Sequence, residues 1–167
     1  MNNAVLEIKK YPNKVLKKRA REIKKIDGEI KELGINMIKT MKANSGVGLA
    51  ANQVGILKRI IVVQMENGPE IFINPKIVRM SAGKTTDAEG CLSVPEMFLD
   101  IKRASGIQVS ALNSEGQKIN IKTKGLVARI FQHEIDHLNG VLIIDRISFW
   151  RRLKIKKQTK LKQNETY

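Results

Sequence analysis

The 167-residue chain is poor in the residue types that several common classes of protein depend on. Its single cysteine, Cys91, excludes a disulfide within the chain. Aromatic residues make up only 4% of it, which leaves little material for stacking against nucleic-acid bases. The longest aliphatic run, 60–63, is far too short to span a bilayer, and no apolar stretch of a signal peptide follows the N-terminus. We therefore expect one cytoplasmic domain without membrane contact.

The chain does carry a large excess of positive charge, with a formal net charge of +15. Such a balance favours polyanionic neighbours such as nucleic acid or the ribosome surface. A lysine-rich composition that only maintains solubility explains the charge equally well. Seven basic residues and no acidic one lie between Arg151 and Lys162. This tail predicts either docking on ribosomal RNA or a solvated terminus, and nothing in it indicates specific DNA binding.

The apolar pattern predicts two helices separated by β-hairpins. Helical spacing extends from Asp27, a plausible cap, to Lys42, and again over 125–138 with Asn139-Gly140 as its end. Alternating or β-branched segments predict strands at 59–64, 71–73, 77–80, 107–111 and 119–121, and a final strand or buried extension at 141–144. Because no βαβ alternation appears, we expect an α+β fold, with antiparallel or mixed sheets packed around the second, central helix and with an N-terminal helix.

The second predicted helix contains His133-Glu134-Ile135-Asp136-His137. Its two histidines lie about 40° apart on the helix, so that both can reach one ion. Leu126 and Ile130 fall on the same side, which predicts that the pair continues an apolar stripe towards the core. Buried histidines without a metal are the alternative, but a glutamate after the first histidine completes the H-E-x-x-H pattern of metalloenzymes. Glu134 can then move a proton from an attacking water to a leaving nitrogen.

A hydrolytic metal site usually has three protein ligands and one open position. The histidine pair supplies two ligands, and the chain has no further histidine. Cys91 is the candidate for the third, and a buried cysteine with a packing role is the alternative. Gly90 and Pro95 bracket a tight segment around it, which is not typical of a regular strand interior.

The segment 46–55 is unusually rich in glycine. Glycines permit close approach of the backbone to a ligand, and Gln53 can present an amide donor there. An ordinary loop packed on a sheet is the alternative. A phosphate-binding loop is excluded, because the required lysine and hydroxyl residues are absent.

Three stretches of this sequence together resemble the three signature motifs of the peptide deformylases. They are Gly-Val-Gly-Leu-Ala-Ala-Asn-Gln at 46–53, Glu-Gly-Cys-Leu-Ser at 89–93 and Gln-His-Glu-Ile-Asp-His at 132–137. The similarity extends from about Leu6 to about Ile147, in the compact bacterial form. It implies a deformylase-like catalytic domain over 1–150, followed by the basic tail at 151–167.

The resemblance implies removal of the formyl group from the N-terminal formylmethionine of nascent polypeptides, with release of formate. It further implies one divalent metal ion, ferrous iron in the cell, which zinc, nickel or cobalt can replace. The implied metal ligands are Cys91, His133 and His137; the catalytic groups are Glu134, the Gln53 side chain and the Leu92 backbone N–H. The residues expected around the methionine and the adjacent backbone are Gly46, Val47, Gly48, Glu89, Gly90, Leu126, Arg129 and Ile130.

The sequence departs from the common family pattern in the segment after this cysteine motif. Glu96 stands where many members have glycine, and 96–102 lacks the arginine that some members use to hold the downstream peptide. Only Arg103 remains as a candidate for that contact.

Another feature of the second helix is a polar edge formed by Arg129, Gln132 and Asp136, which lie within about 60° of one another. We expect this edge to fix the helix against its neighbours and to orient a metal ligand. A partly solvated helix edge is the alternative.

Two other functions compete with deformylation. A metalloprotease shares Glu134 and the histidine pair, but its usual third ligand is missing and the other two motifs stay unexplained. A non-catalytic ribosome- or nucleic-acid-binding module is supported by the charge and the tail. The intact Glu134 and Gln53 argue against such a module.

Overall fold

A five-stranded antiparallel sheet, a separate two-stranded hairpin, two long helices and several short helical segments form the computed structural model, which describes residues 4–153 and residue 155. The large sheet has the order β1-β2-β3-β6-β7, and β4 pairs with β5 in the hairpin. The strands are β1 (Gly48–Ala50), β2 (Ile60–Met65), β3 (Gly68–Met80), β4 (Lys84–Cys91), β5 (Val94–Ala104), β6 (Gly106–Leu112) and β7 (Lys118–Lys124), and the helices are α1 (Gly28–Ala43) and α2 (Gly125–Leu138). The predicted α+β class is confirmed.

Helix α1 begins where the sequence predicts. The Asp27 side chain caps it by accepting a hydrogen bond of 3.1 Å from the backbone N–H of Ile30. Gly34, which weakens the helix intrinsically, has a packing reason to be there. A β-carbon at Gly34 would lie 2.6 Å from Cδ1 of Ile71 on β3, so glycine allows the helix to approach the sheet closely.

The apolar run 60–63 in β2 is buried on both of its faces. Ile61 and Val63 pack in a core cluster with α2, where the rings of Phe72 and Phe131 meet at 4.8 Å. Ile60 and Val62, whose side chains point to the opposite face of the strand, pack in a second cluster with residues of α1. The sheet therefore lies between the two helices, and α2 is held firmly against one face of it.

The hairpin β4–β5 ends in a tight turn over Leu92 and Ser93, because Cys91 pairs directly with Val94. The predicted tight segment around Cys91 is thereby confirmed. A third apolar cluster, which includes Leu99 and Ile101, packs beneath the hairpin. This turn places the cysteine at the very end of a strand, beside α2.

The segment 141–144 is a buried extension and not a strand. Ile143–Asp145 form one 3-10 turn, and the Asp145 carboxylate accepts a hydrogen bond of 2.8 Å from the Leu142 N–H. This local bond curls the chain, while Ile143 and Ile144 pack in the third cluster.

Residues 149–153 are helical, and the predicted tail positions 154 and 156–167 lie outside the described residues. The domain boundary at residue 150 stays a prediction. Within the described part of the chain, no helix is long and apolar enough to cross a membrane.

Candidate metal centre

One thiol and two imidazoles converge between the end of β4 and the middle of α2. Cys91 Sγ lies 3.2 Å from Nε2 of His137, which lies 3.1 Å from Nε2 of His133. Single ligand atoms from the three residues all fall within 4.8 Å of one another, and no other such group occurs among residues 4–153 and 155. Sulfur and imidazole donors in this number fit a divalent transition-metal ion with an open position.

The carboxylate of Glu89, two residues before the cysteine, fixes the orientation of His133. Its Oε2 lies 2.9 Å from Nδ1 of His133, so that Nε2 is turned towards the converging ligands. Arg103 donates to both carboxylate oxygens at 2.9 Å, and Arg129 donates to Oε1 at 2.8 Å. Burial alone would raise the pKa of Glu89, but the hydrogen bonds from Arg103 and His133 outweigh it and hold this pKa below its usual range.

The predicted polar edge of α2 is buried and ties the helix to its neighbours. The Asp136 carboxylate accepts a hydrogen bond of 2.5 Å from Arg103 and forms a second ion pair with Arg146. Gln132 bonds both the N–H and the carbonyl of Ala104, at 3.1 and 2.9 Å. The alternative, a partly solvated helix edge, is therefore wrong. Arg103 is only 5% exposed, and its guanidinium bonds the carboxylates of Glu89 and Asp136, so it is not placed to hold a downstream peptide.

Arg129 lines the cavity beside the site, yet its guanidinium is committed to the hairpin. Besides Glu89, it bonds the Asp87 carboxylate at 2.5 Å, both oxygens of Thr85 and the carbonyl of Ile101 at 2.8 Å. The resemblance implies that Arg129 contacts substrate, which stays a prediction, and these bonds make its side chain part of the support of the cavity wall as well.

The pKa values of the two histidines are shifted in opposite directions. Burial, together with the charge of His133, lowers the pKa of His137 well below its usual value, so its ring is neutral, as a metal ligand must be. Burial also opposes the charged form of His133, but hydrogen bonds with Cys91 and Glu89 raise its pKa to about 10.

Glu134 lies next to the proposed ligands, and one of its carboxylate oxygens accepts no hydrogen bond from the described residues. It is 4% exposed, and its Oε2 is buried without a hydrogen-bond partner among the described residues. Burial raises its pKa to about 7. A β-carbon at Gly48 on β1 would lie 2.9 Å from the Glu134 carboxyl carbon and 2.8 Å from Ile130, so this glycine makes room for the carboxylate. A buried polar atom left unpaired in this way points to a functional role.

Gln53 presents its amide nitrogen to the same centre. Its oxygen accepts a bond of 2.8 Å from the Ala50 N–H, which turns Nε2 to within 3.8 Å of Cys91 Sγ and 3.3 Å of Ser93 Oγ. The adjacent turn is held by Lys10, whose ammonium donates to the Leu92 carbonyl at 2.6 Å. Nothing in the sequence signals this lysine, because the contact joins residues 82 positions apart.

A cavity of about 460 Å³ opens in front of these groups. All predicted site residues line it except His137, which lies behind it at 1% exposure. Leu126 lines the cavity but is 67% exposed, so the prediction that it continues the core stripe is wrong, because the first turn of α2 faces the cavity mouth. Phe98 and Met97 also line the cavity, and sequence reasoning passed over them.

Comparisons with known proteins agree with this geometry. The family model described as polypeptide deformylase matches residues 5–153. The chain is 46% identical to the peptide deformylase of Thermodesulfovibrio yellowstonii over 165 residues, covering 96% of this chain and 99% of that one. It is 50% identical to that of Dictyoglomus turgidum over 142 residues, covering 85% and 92%.

Solved structures give the same result. The crystal structure of peptide deformylase from Ehrlichia chaffeensis superposes with a TM-score of 0.90 at 40% identity, covering 98% of this chain and 100% of that one. Its complex with actinonin also gives 0.90, at 42% identity and with 95% and 98% covered. The chain therefore belongs to the polypeptide deformylase family, the metal-dependent hydrolases that remove the N-formyl group from nascent peptides.

Proposed function

We propose that Cys91, His133 and His137 hold one divalent ion with which the chain hydrolyses the formamide of N-terminal formylmethionine, and that this ion is ferrous iron in the cell. The unpartnered Oε2 of Glu134 beside three converging ligand atoms carries the proposal. A thiolate with two imidazoles suits iron, and it also accommodates zinc, nickel or cobalt.

A divalent ion in this site would act as a Lewis acid that makes water more acidic and polarises the formyl oxygen. The chain's own contribution begins with Glu89, which accepts the Nδ1 proton of His133 and so keeps Nε2 available. Arg103 and Arg129 hold Glu89 in that position. The ligand ring cannot turn away without breaking these bonds.

Glu134 moves the proton. Its Oε2 takes a proton from the attacking water and then delivers it to the methionine nitrogen as the C–N bond breaks, which leaves formate and a free amine. A pKa of about 7 suits both directions of transfer near neutral pH. The glycine at position 48 leaves the carboxylate the space it needs.

Gln53 and Leu92 stabilise the negative charge that grows on the formyl oxygen. We assign the Nε2 of Gln53 and the backbone N–H of Leu92 as hydrogen-bond donors to that oxygen. Support comes from the fixed rotation of the Gln53 amide, whose own oxygen is occupied by the Ala50 N–H. A donor that is already oriented loses little free energy when the charge develops.

The methionine side chain and adjacent backbone occupy the cavity wall next to these groups. We assign contacts with substrate to Gly46, Val47, Gly48, Gly90, Leu126 and Ile130, all of which line the cavity. For Glu89 and Arg129, which also line the cavity, we propose a role in supporting that wall, because their polar atoms bond to each other and to the hairpin.

A cytoplasmic location and a place near the ribosomal exit site follow from a substrate that is a nascent chain. The net charge of +15 and the basic tail support such an encounter with an RNA-rich particle. Deleting the residues after Arg151 should weaken co-sedimentation with ribosomes in a salt-dependent way, and unchanged co-sedimentation removes the tail from the proposal.

Formate release tests the proposed function. Metal-loaded protein should release formate from a formyl-Met tripeptide but no acetate from its acetylated counterpart. Glu134→Gln should lower kcat by roughly 100-fold or more while the bound metal is retained. Glu70→Gln, a matched change at an exposed position of β3, should leave kcat unchanged. Cleavage of internal peptide bonds without formate would favour the metalloprotease instead.

A further inference from the structure

The N-terminal segment 9–11 connects the two parts of the chain that supply the proposed donors to the formyl oxygen. The backbone N–H of Lys9 donates to the carbonyl of Gln53 at 2.7 Å. Two residues later, the backbone N–H of Tyr11 donates to the carbonyl of Ser93, in the turn of the β4–β5 hairpin, at 2.8 Å. One short stretch of chain therefore fixes the position of both donor segments relative to each other.

The Leu92 N–H lies between two anchored points of this turn. The hairpin ladder ends one residue before it, where Cys91 pairs with Val94. On its other side, the carbonyl of Leu92 accepts a hydrogen bond of 2.6 Å from the Lys10 ammonium. Only the two soft backbone dihedrals of a single residue separate that carbonyl from the N–H. The bond from Lys10 therefore restricts the direction in which the N–H points.

Lys10 makes this contact with its side chain, whereas its neighbours in the segment use their backbone. Its side chain is exposed and lines the cavity. The adjacent Lys9 directs its ammonium elsewhere, to the carboxylate of Glu7 at 2.6 Å. Because the two backbone bonds of the segment do not depend on the side chain at position 10, a substitution there removes one contact of the turn and keeps the others.

We propose that Lys10 is a positioning residue for deformylation, whose ammonium holds the Leu92 peptide so that its N–H points to the formyl oxygen. The inference rests on the proposed function and adds to it a residue that lies outside the three motifs at 46–53, 89–93 and 132–137. A donor of this kind acts mainly in the transition state, because its hydrogen bond strengthens as negative charge develops. Loss of the Lys10 bond should therefore lower kcat and leave KM nearly unchanged.

Lys10→Met tests this, because methionine keeps an unbranched side chain and removes the donor. With metal-loaded protein and a formyl-Met tripeptide, we expect kcat to fall about tenfold, since removing a whole oxyanion donor costs roughly 100- to 1,000-fold and a misdirected donor loses part of that. KM and the bound metal should stay within about twofold of their wild-type values.

Two further variants separate positioning from a general structural effect. Lys10→Arg keeps a charged hydrogen-bond donor and should restore kcat to within about threefold of wild type. Lys14→Met, which changes another exposed lysine outside the cavity lining, is the matched control and should leave kcat unchanged.

Unchanged kcat in Lys10→Met overturns the inference while leaving deformylation intact. A fall in kcat that comes with loss of bound metal, or with a comparable rise in KM, overturns it as well, because the lysine then supports the metal site or binds substrate. Failure of Lys10→Arg to recover activity also overturns it, because the hydrogen bond is then not what matters. If the wild-type protein releases no formate, the proposed function itself fails, and the inference fails with it.

Discussion

Replacing Glu89 by glutamine disturbs the support of the metal centre without touching a proposed ligand or catalytic group. Each oxygen of this carboxylate accepts two hydrogen bonds: Oε1 from Arg103 and Arg129, and Oε2 from Arg103 and His133. A glutamine amide keeps only one acceptor oxygen. Whichever way it rotates, its NH₂ group faces two donors, so that two of the four bonds are lost.

The charge balance around the buried Glu89 carboxylate changes at the same time. In the native protein, three carboxylates form ion pairs with three guanidinium groups. The carboxylates are those of Asp87, Glu89 and Asp136, and the guanidinium groups are those of Arg103, Arg129 and Arg146. Glu89→Gln leaves one positive charge without its partner at a site that is 5% exposed. Breaking a buried ion pair on one side costs about 3–5 kcal/mol, which is the expected loss in the free energy of unfolding.

Metal affinity should fall as well, because the Nδ1–H of His133 loses its carboxylate acceptor. Loss of such an outer partner lowers metal affinity by roughly 10- to 100-fold. Urea unfolding and competition with a chelator measure the two effects, with Glu70→Gln as an exposed control. A loss in the free energy of unfolding below about 1 kcal/mol, together with unchanged metal affinity, would refute the reasoning. Such a result would mean that the network neither stabilises the fold nor orients His133.

Three further predictions follow from individual contacts. Gly48→Ala should displace the Glu134 carboxylate and lower kcat by roughly 100-fold with metal content retained; unchanged kcat would show that the carboxylate needs no fixed position. Gln53→Leu should lower kcat by roughly 100- to 1,000-fold, and a loss below about tenfold would contradict its role as a donor to the formyl oxygen. Burial opposes ionisation of Asp145, but the hydrogen bonds from Lys17 and the Leu142 N–H, together with the charges of Lys17 and Arg152, outweigh it and lower the pKa of Asp145 below the unfolded value. Its contribution to stability is therefore present above about pH 4 and is lost as the pH falls through the lowered folded-state pKa. Asp145→Asn should therefore destabilise the protein at pH 7, and the difference from wild type in urea unfolding should shrink at acidic pH; a constant difference would contradict this.

Local patterns were enough to predict most of the secondary structure. The cap at Asp27, the 3.6-residue periodicity of both helices and the β-branched run at 60–63 each reflect short-range physics, and the structure confirms them. The chemistry of α2 was also accessible, because two histidines four apart must share one helix face. By contrast, spacing could nominate Cys91 only as a candidate, since its approach to the helix depends on the fold of a hairpin 40 residues away.

The sequence could not predict which side chains become neighbours when distant segments of the chain pack together. The wheel position of Leu126 predicts burial, but burial depends on what covers that face, and the cavity mouth lies there. The resemblance names Arg129 and Glu89 as substrate contacts, but only the packing of β4 against α2 reveals that they also bond each other. Arg103 likewise stands near the motif in sequence but points into the protein.

The central claim is that one divalent ion, held by Cys91, His133 and His137, is required for deformylation. Metal analysis of protein purified without oxygen, combined with formate release from a formyl-Met peptide before and after chelation, tests it most directly. We predict about one ferrous ion per chain, loss of formate release when the ion is removed, and recovery when a divalent metal is restored. Full formate release by metal-free protein would contradict the account.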